Sequence, residues 1–119
     1  MTKMIANGDV ELATEAFGDP ADPPVLLIMG AMASMLWWPE DFCQALAARG
    51  RFVIRYDNRD VGLSTKFAHV EPEFGRLIAA LRAGEEPDVP YFLSEMAADG
   101  MAVFGPKSRI AVLFFGPLV

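Results

Sequence analysis

Apolar and polar positions at the start of the chain predict a β-hairpin followed by a loop. Asn7-Gly8 is a strong hairpin turn signal. It is flanked by residues 4–5 and residues 10–14, and the second flank alternates apolar and polar side chains as a half-buried strand does. Residues 18–24 are rich in glycine, aspartate and proline, and this composition predicts a loop.

Three later segments are predominantly apolar and are bounded by turn residues or polar loops. They comprise residues 25–29, residues 51–56 and the run from Ile110 to Phe115. Strands that are apolar on both faces are typical of parallel sheets covered by helices. The first two segments flank a predicted helix, and such a strand–helix–strand unit implies a right-handed parallel crossover.

Two helices are predicted in the middle of the chain from their end signals and their apolar spacing. The first opens at Pro39, has an acidic residue, Glu40, at the positive end of its dipole, and ends at Gly50. The second opens at Pro72 and carries apolar residues at helical spacing before Gly84.

A third helix completes the predicted elements and fixes the fold class. We expect Ser94 to cap it and Gly105 to end it. Its inward face is predicted to consist of Met96, Ala97, Met101 and Phe104. Together the elements predict an α/β fold, in which an antiparallel hairpin is followed by parallel strands that alternate with helices.

Composition narrows the class of function. The 119 residues suit one domain, and 16 acidic against 10 basic residues give a net charge of −6, which disfavours nucleic acid and anionic membrane surfaces as partners. A single cysteine, Cys43, excludes an intrachain disulfide and a cysteine-rich metal site, and a single histidine, His69, excludes a histidine pair. No signal-peptide or membrane-spanning segment is visible, so we expect a cytoplasmic protein. We also expect no metal and no cofactor.

The loop after the first parallel strand is the first candidate site. Ligands of open parallel sheets bind beyond the carboxyl ends of the strands. Gly30 lets the backbone turn away from the strand, so that the N–H groups of Ala31 and Met32 face a crevice, as an oxyanion hole requires. From the spacing alone, an ordinary strand-to-helix loop is the favoured interpretation.

The polar segment from Asp57 to Ser64 is the second candidate. It lacks the ligand spacing of a calcium loop and the Gly-Lys-Ser/Thr of a phosphate loop. The favoured interpretation is a tight turn braced by pairing of Arg59 with Asp57 or Asp60.

Further candidate residues have simpler structural interpretations. His69 is expected at the surface, and Cys43 as a buried structural thiol. An apolar cluster is interpreted first as core packing and second as the wall of an apolar substrate pocket. Its members are Met29, Met32, Met35, Trp37 and Trp38.

Residues 25–39 and residues 53–65 together resemble the α/β-hydrolase fold family, and within it bacterial esterases of the aclacinomycin methylesterase type. In that group Met-Gly replaces the usual His-Gly before the oxyanion loop, as at Met29-Gly30. The loop after the next strand has the pattern Asp-x-Arg-Asp-x-Gly-x-Ser, which here is Asp57, Arg59, Asp60, Gly62 and Ser64. The resemblance covers about residues 5–104.

The resemblance implies a role for each of these residues. Ala31 would be a backbone donor of the oxyanion hole, in a turn shaped by Gly30, and the substrate would be a small ester. Met32 and Trp37 are the candidate pocket wall. The resemblance gives a structural role beside the pocket to Asp57, Arg59, Asp60, Gly62 and Ser64.

The nucleophile of that family is not found in these 119 residues. A Gly-x-Ser-x-Gly elbow should follow the run that ends at Phe115, but Leu118 stands where the serine is expected. His69 precedes this position and does not match the catalytic base. Residues 1–119 are therefore interpreted as a partial domain, with residues 105–119 as a divergent, truncated or out-of-frame tail.

The sequence thus predicts the N-terminal part of a bacterial protein related to serine ester hydrolases, inactive by itself. The alternative is a non-catalytic α/β module that associates with itself or a partner, because the run from Ile110 to Phe115 would be a hydrophobic sheet edge. A nucleotide-binding module is disfavoured, since no Gly-x-Gly-x-x-Gly follows either early parallel strand.

Overall fold

The computed structural model describes residues 2–30, 32–67, 74–86, 91–105 and 111–115. The strands are β1 (Lys3–Asn7), β2 (Val10–Phe17), β3 (Pro24–Met29), β4 (Phe52–Tyr56) and β5 (Ala111–Phe115). The helices are α1 (Glu40–Ala48), α2 (Phe74–Arg82) and α3 (Leu93–Phe104), with a short 3-10 helix at Met35–Trp37.

One mixed sheet contains the five strands of the described residues, in the order β1-β2-β4-β3-β5. β1 and β2 form the predicted hairpin, which turns at Gly8 with φ of +61°. β2 then pairs antiparallel with β4, whereas β3 pairs parallel with both β4 and β5. The predicted combination of a hairpin with parallel strands is confirmed, and the hairpin continues the same sheet.

The central strands β3 and β4 are covered on both faces, as their apolar sequences predict. On one face Leu26 and Ile54 pack with Val103 and Phe104 of α3. On the other face the apolar side chains of the strands pack around Trp38 and Cys43. Cys43 is fully buried, so its interpretation as a structural thiol agrees with its place in α1.

β4 also carries a charged side chain into the covered sheet. Arg55 is buried and forms an ion pair with Glu15 of β2. Its guanidinium lies 5.2 Å from the ring centre of Phe17 and donates to the carbonyl of Trp38. These partners satisfy a buried cation that would otherwise be costly to desolvate.

The start and the inward face of α3 differ from the prediction. Ser94 is exposed and does not cap the helix; instead the Glu95 carboxylate accepts the Phe92 N–H at 3.1 Å. Ala97 and Met101 are exposed, so their predicted inward positions are wrong. The buried residues are Asp99, Gly100, Val103 and Phe104, because Asp99 pairs with a buried cation beneath the helix.

Several predictions fall on residues outside the described ones. These concern Pro72 as the start of α2, the position of His69, the start of β5 at Ile110, and the tail beyond Phe115. α2 ends at Arg82, two residues before Gly84 with φ of +71°, as predicted. Within the described residues, no helix combines the length and the apolar character needed to cross a membrane.

Candidate functional site

Two loops lie at the carboxyl ends of the central parallel strands. The β3 loop comprises residues 30–34, and the β4 loop comprises residues 57–67. Because β3 and β4 are parallel neighbours, both loops leave the sheet at the same edge. The described residues of the two candidate loops are therefore brought to one side of the molecule.

The Asp57 carboxylate joins the two loops. It is 1% exposed, and one oxygen accepts the Met35 N–H at 2.7 Å while the other accepts the Leu63 N–H at 2.9 Å. Met35 directly follows the β3 loop, whereas Leu63 belongs to the β4 loop. One buried carboxylate thus fixes the two backbones relative to each other.

Gly62 makes room for this carboxylate. It adopts φ of +53°, and a Cβ atom at this position would overlap the side chain of Asp57. A glycine is therefore needed here for both its backbone conformation and its lack of a side chain.

Two more side chains hold the β4 loop in place. Asn58 donates from Nδ2 to the Met29 carbonyl at 3.0 Å, across to the end of β3. The Ser64 hydroxyl donates to the Asp57 carbonyl at 2.6 Å and accepts the Ala13 N–H at 2.9 Å. The β4 loop is thus tied to both β2 and β3.

The β3 loop begins with a tight turn. Gly30 is buried, and its carbonyl accepts the Ala33 N–H at 3.2 Å. Met32 within this turn has φ of +62°, in the left-handed region that L-residues with a side chain rarely adopt. Ala31 lies outside the described residues, so its role as an oxyanion donor stays a prediction.

The apolar cluster divides into buried and exposed members. Met29, Met35 and Trp38 are buried, in agreement with core packing. Met32 is 88% exposed and Trp37 is 70% exposed, so the first interpretation is wrong for these two. Their assignment to a pocket wall remains a prediction, and both lie at the edge of the sheet where that pocket was expected.

Arg59 pairs with α3 and not with its neighbours in the β4 loop. Its Nε donates to Asp99 Oδ2 at 2.6 Å, a second guanidinium nitrogen donates to Asp99 Oδ1 at 2.8 Å, and a weaker contact reaches Glu95. The hydrogen bonds to Asp99 raise the pKa of Arg59. The predicted pairing with Asp57 or Asp60 is wrong, because those carboxylates accept other donors.

Asp60 connects the β4 loop to the start of α3. Its carboxylate accepts the Phe67 N–H at 3.1 Å and the Tyr91 hydroxyl at 3.3 Å. Burial, and then the charge of Asp60, raise the pKa of Tyr91. The Arg59 guanidinium lies 5.4 Å from the ring centres of both Phe67 and Tyr91, so this junction contains cation–π contacts.

Two buried residues near this junction were missed from the sequence. Asp99 is 1% exposed and also accepts Nδ2 of Asn7 at 2.7 Å. Tyr56 is 2% exposed, and burial followed by the charge of Asp99 raises its pKa to about 12. The signal for Asp99 was an acidic residue among the small and apolar residues 96–104 of α3, where a buried carboxylate requires a partner.

The described part of the site exposes apolar side chains and holds no candidate metal centre. Among the described residues, no group of three or more histidine, cysteine, aspartate or glutamate side chains could hold a metal ion. At this edge of the sheet the turn that contains Met32 lies next to the exposed side chains of Met32 and Trp37.

The chain is similar to two curated methylesterases. It is 44% identical over 102 residues to rhodomycin D methylesterase DnrP of Streptomyces peucetius, and 43% identical over 102 residues to rhodomycin D methylesterase DauP of Streptomyces sp. strain C5. Each match covers 86% of this chain and 28% of the relative. The chain therefore spans little more than a quarter of the length of these relatives. No protein-family model matches it.

Solved structures resemble the fold of the chain. The enol-lactonase from Burkholderia xenovorans superposes with a TM-score of 0.59 at 20% identity, over 86% of this chain and 32% of the lactonase. The thioesterase domain from the curacin biosynthetic pathway gives a TM-score of 0.50 at 26% identity, over 67% of this chain and 26% of that domain. The described strands and helices thus match part of the fold of these two larger proteins.

Proposed function

We propose that this chain supplies a backbone donor of the oxyanion hole in an ester-hydrolase active site. The chain belongs to the α/β-hydrolase fold family and resembles the N-terminal part of bacterial methylesterases. The joining of the two loops by Asp57 supports this function most directly. A backbone donor stabilises an oxyanion only when it is held in place before the reaction begins. The contacts of Asp57 with Met35 and Leu63 provide such a support beside the turn at Gly30.

In the proposed reaction, a serine outside these 119 residues attacks the ester carbonyl, and a histidine accepts the serine proton. The carbonyl oxygen becomes negatively charged in the tetrahedral intermediate. The Ala31 N–H donates a hydrogen bond to that oxygen. Collapse of the intermediate breaks the ester C–O bond, the histidine returns the proton to the departing alcohol, and water then releases the acid.

The proposed substrate is a small ester with an apolar body. The methylesterase relatives support a methyl ester. Met32 and Trp37, both exposed at this edge of the sheet, support an apolar acyl group in contact with their side chains. The relatives from Streptomyces also support a bacterial cytoplasmic enzyme.

A chimera tests this function. The 102 matched residues of this chain replace the matching segment of the Streptomyces peucetius relative, and release of methanol from rhodomycin D is measured. We expect hydrolysis by the chimera and no hydrolysis by the isolated 119-residue chain, because the latter lacks the serine elbow. A folded chimera without activity contradicts the proposal, and so does activity of the isolated chain.

A second candidate function is association through the sheet edge. β5 lies at the end of the strand order, next to β3. An edge strand presents backbone groups to which another strand can pair. The proposed alternative is therefore a non-catalytic α/β module that pairs with a second copy of itself.

A further inference from the structure

We propose that Asp57 is a positioning residue for the turn at the start of the β3 loop, assisted by Asn58. This inference rests on the proposed function, because it assigns how the oxyanion-binding backbone is held. It goes further by giving the task to two side chains of the neighbouring loop, neither of which needs to touch the substrate.

The backbone of the turn has an unfavourable conformation, which contacts from other segments must stabilise. Met32 adopts φ of +62° although it carries a side chain, and that side chain is 88% exposed. An exposed side chain has little packing to compensate for an unfavourable backbone. Such a conformation persists when the surrounding structure fixes it.

The two ends of the turn are fixed by adjacent residues of the β4 loop. Asn58 holds the Met29 carbonyl before the turn, and Asp57 holds the Met35 N–H after it. Within the turn, the Ala33 N–H donates to the Gly30 carbonyl. The path of the backbone between Met29 and Met35 is thus constrained at both ends by two consecutive side chains.

The chemistry of the carboxylate makes this role specific. Asp57 accepts two backbone N–H groups, one on each of its oxygens. An asparagine has nearly the same shape, but one of the two oxygens is replaced by an NH₂ group that cannot accept. Asp57→Asn must therefore lose the contact with either Met35 or Leu63.

Hydrogen exchange of the full 119-residue chain gives the first test. The reporter is the Ala33 N–H, which bonds to Gly30 and does not contact Asp57. We expect Asp57→Asn to speed its exchange at least about tenfold, as the turn loses its support. The matched control is Asp99→Asn, an equally buried aspartate in α3. It should destabilise the chain without selectively exposing Ala33.

Kinetics of the chimera give the second test. We expect Asp57→Asn to lower kcat about 10- to 100-fold with KM changed by less than about threefold, since displaced oxyanion donors weaken the transition state more than the bound substrate. Asp99→Asn should leave both constants of the folded chimera nearly unchanged. A purely structural role of Asp57 would lower the amount of folded enzyme and leave kcat per folded molecule intact.

The outcomes separate this inference from the function on which it rests. An inactive parent chimera refutes the function, while the Ala33 exchange still decides whether Asp57 positions the turn. Unchanged exchange in Asp57→Asn, or equal changes in Asp99→Asn, overturns the positioning role. If Asp57→Asn does not fold, Asn58→Ala is used, and it should speed Ala33 exchange through release of the Met29 carbonyl; no effect again overturns the role.

Discussion

At the scale of single residues, the β4 loop depends on a glycine that faces a buried carboxylate. Gly62 and Gly8 have similar positive φ angles, +53° and +61°. They differ in surroundings, because a Cβ at Gly62 would overlap Asp57, whereas at Gly8 it would meet nothing within 4 Å. The pair separates the effect of backbone conformation from that of steric overlap.

We expect Gly62→Ala to lower the free energy of unfolding by about 3 kcal/mol or more, and Gly8→Ala by about 1 kcal/mol. Both variants place a side chain in the left-handed region, but only the first displaces Asp57 from its two donors. Urea denaturation of the three chains measures the difference. Equal losses in the two variants would falsify the claim that Asp57 occupies the space beside Gly62.

Tyr56 makes the stability of the folded chain depend on pH in the alkaline range. Burial and the nearby Asp99 raise its pKa from 10.0 to about 12, so the folded state holds the phenolic proton more tightly than the unfolded state. The resulting stability is fully present below pH 10 and is lost as the pH rises to about 12.

Tyr56→Phe should remove this loss. Between pH 9 and pH 11.5 the wild type is expected to lose about 2 kcal/mol more of its unfolding free energy than the variant, from the linkage of the two pKa values. The midpoints of urea denaturation at the two pH values provide the measurement. Tyr91→Phe is the control, because it removes a less buried phenol. Parallel curves for wild type and Tyr56→Phe contradict the shift.

At the scale of elements, a buried ion pair attaches α3 to the β4 loop. Arg59 and Asp99 are 6% and 1% exposed at their side chains, and they join through two hydrogen bonds. Glu95 also contacts Arg59, but its side chain is 48% exposed. Removal of one buried partner leaves an uncompensated charge, whereas removal of both does not.

A double-mutant cycle tests this attachment. Arg59→Met and Asp99→Leu are each expected to cost about 3 kcal/mol of unfolding free energy, and the double variant to cost clearly less than their sum. Glu95→Ala serves as the control and should cost less than about 1 kcal/mol, since exposed pairs contribute little. Additive losses in the double variant would show that the two residues are not coupled.

Elements that a local sequence pattern determines were predicted, whereas contacts between residues far apart in the sequence were not. The strand over residues 25–29 was predictable, because burial on both faces leaves a continuous apolar run. The partner of Arg59 was not, because Asp99 lies 40 residues away in sequence and two acidic residues stand much nearer. The exposure of Met32 and Trp37 was also missed, since their direction follows from the backbone turn and not from their hydrophobicity.

At the scale of the whole molecule, the sheet formed by the described strands ends in two different edges. The hairpin strand β1 forms one edge, and β5 forms the other, where it pairs in parallel with β3. A five-residue apolar strand at an edge is a site at which copies of a chain can pair.

We expect the isolated chain to associate through β5 as its concentration rises. The net charge of −6 opposes association, but salt screens it over about 8–10 Å. Light scattering across a concentration series measures the effect, and Leu113→Lys, which places a charge in the middle of the strand, should reduce it. A monodisperse monomer at high concentration, or identical association by the lysine variant, contradicts this role of β5.

The strand order also has a kinetic consequence for synthesis. β3 pairs with β4, which follows it in the chain after α1, and with β5, which is synthesised only after two more helices. Closing the longer loop costs about 1 kcal/mol more chain entropy than closing the shorter one. As the chain leaves the ribosome, the joined β3 and β4 loops can form while the side of β3 that later pairs with β5 is still unpaired. Chaperones that bind extended apolar segments would have their longest opportunity at that side of the nascent sheet.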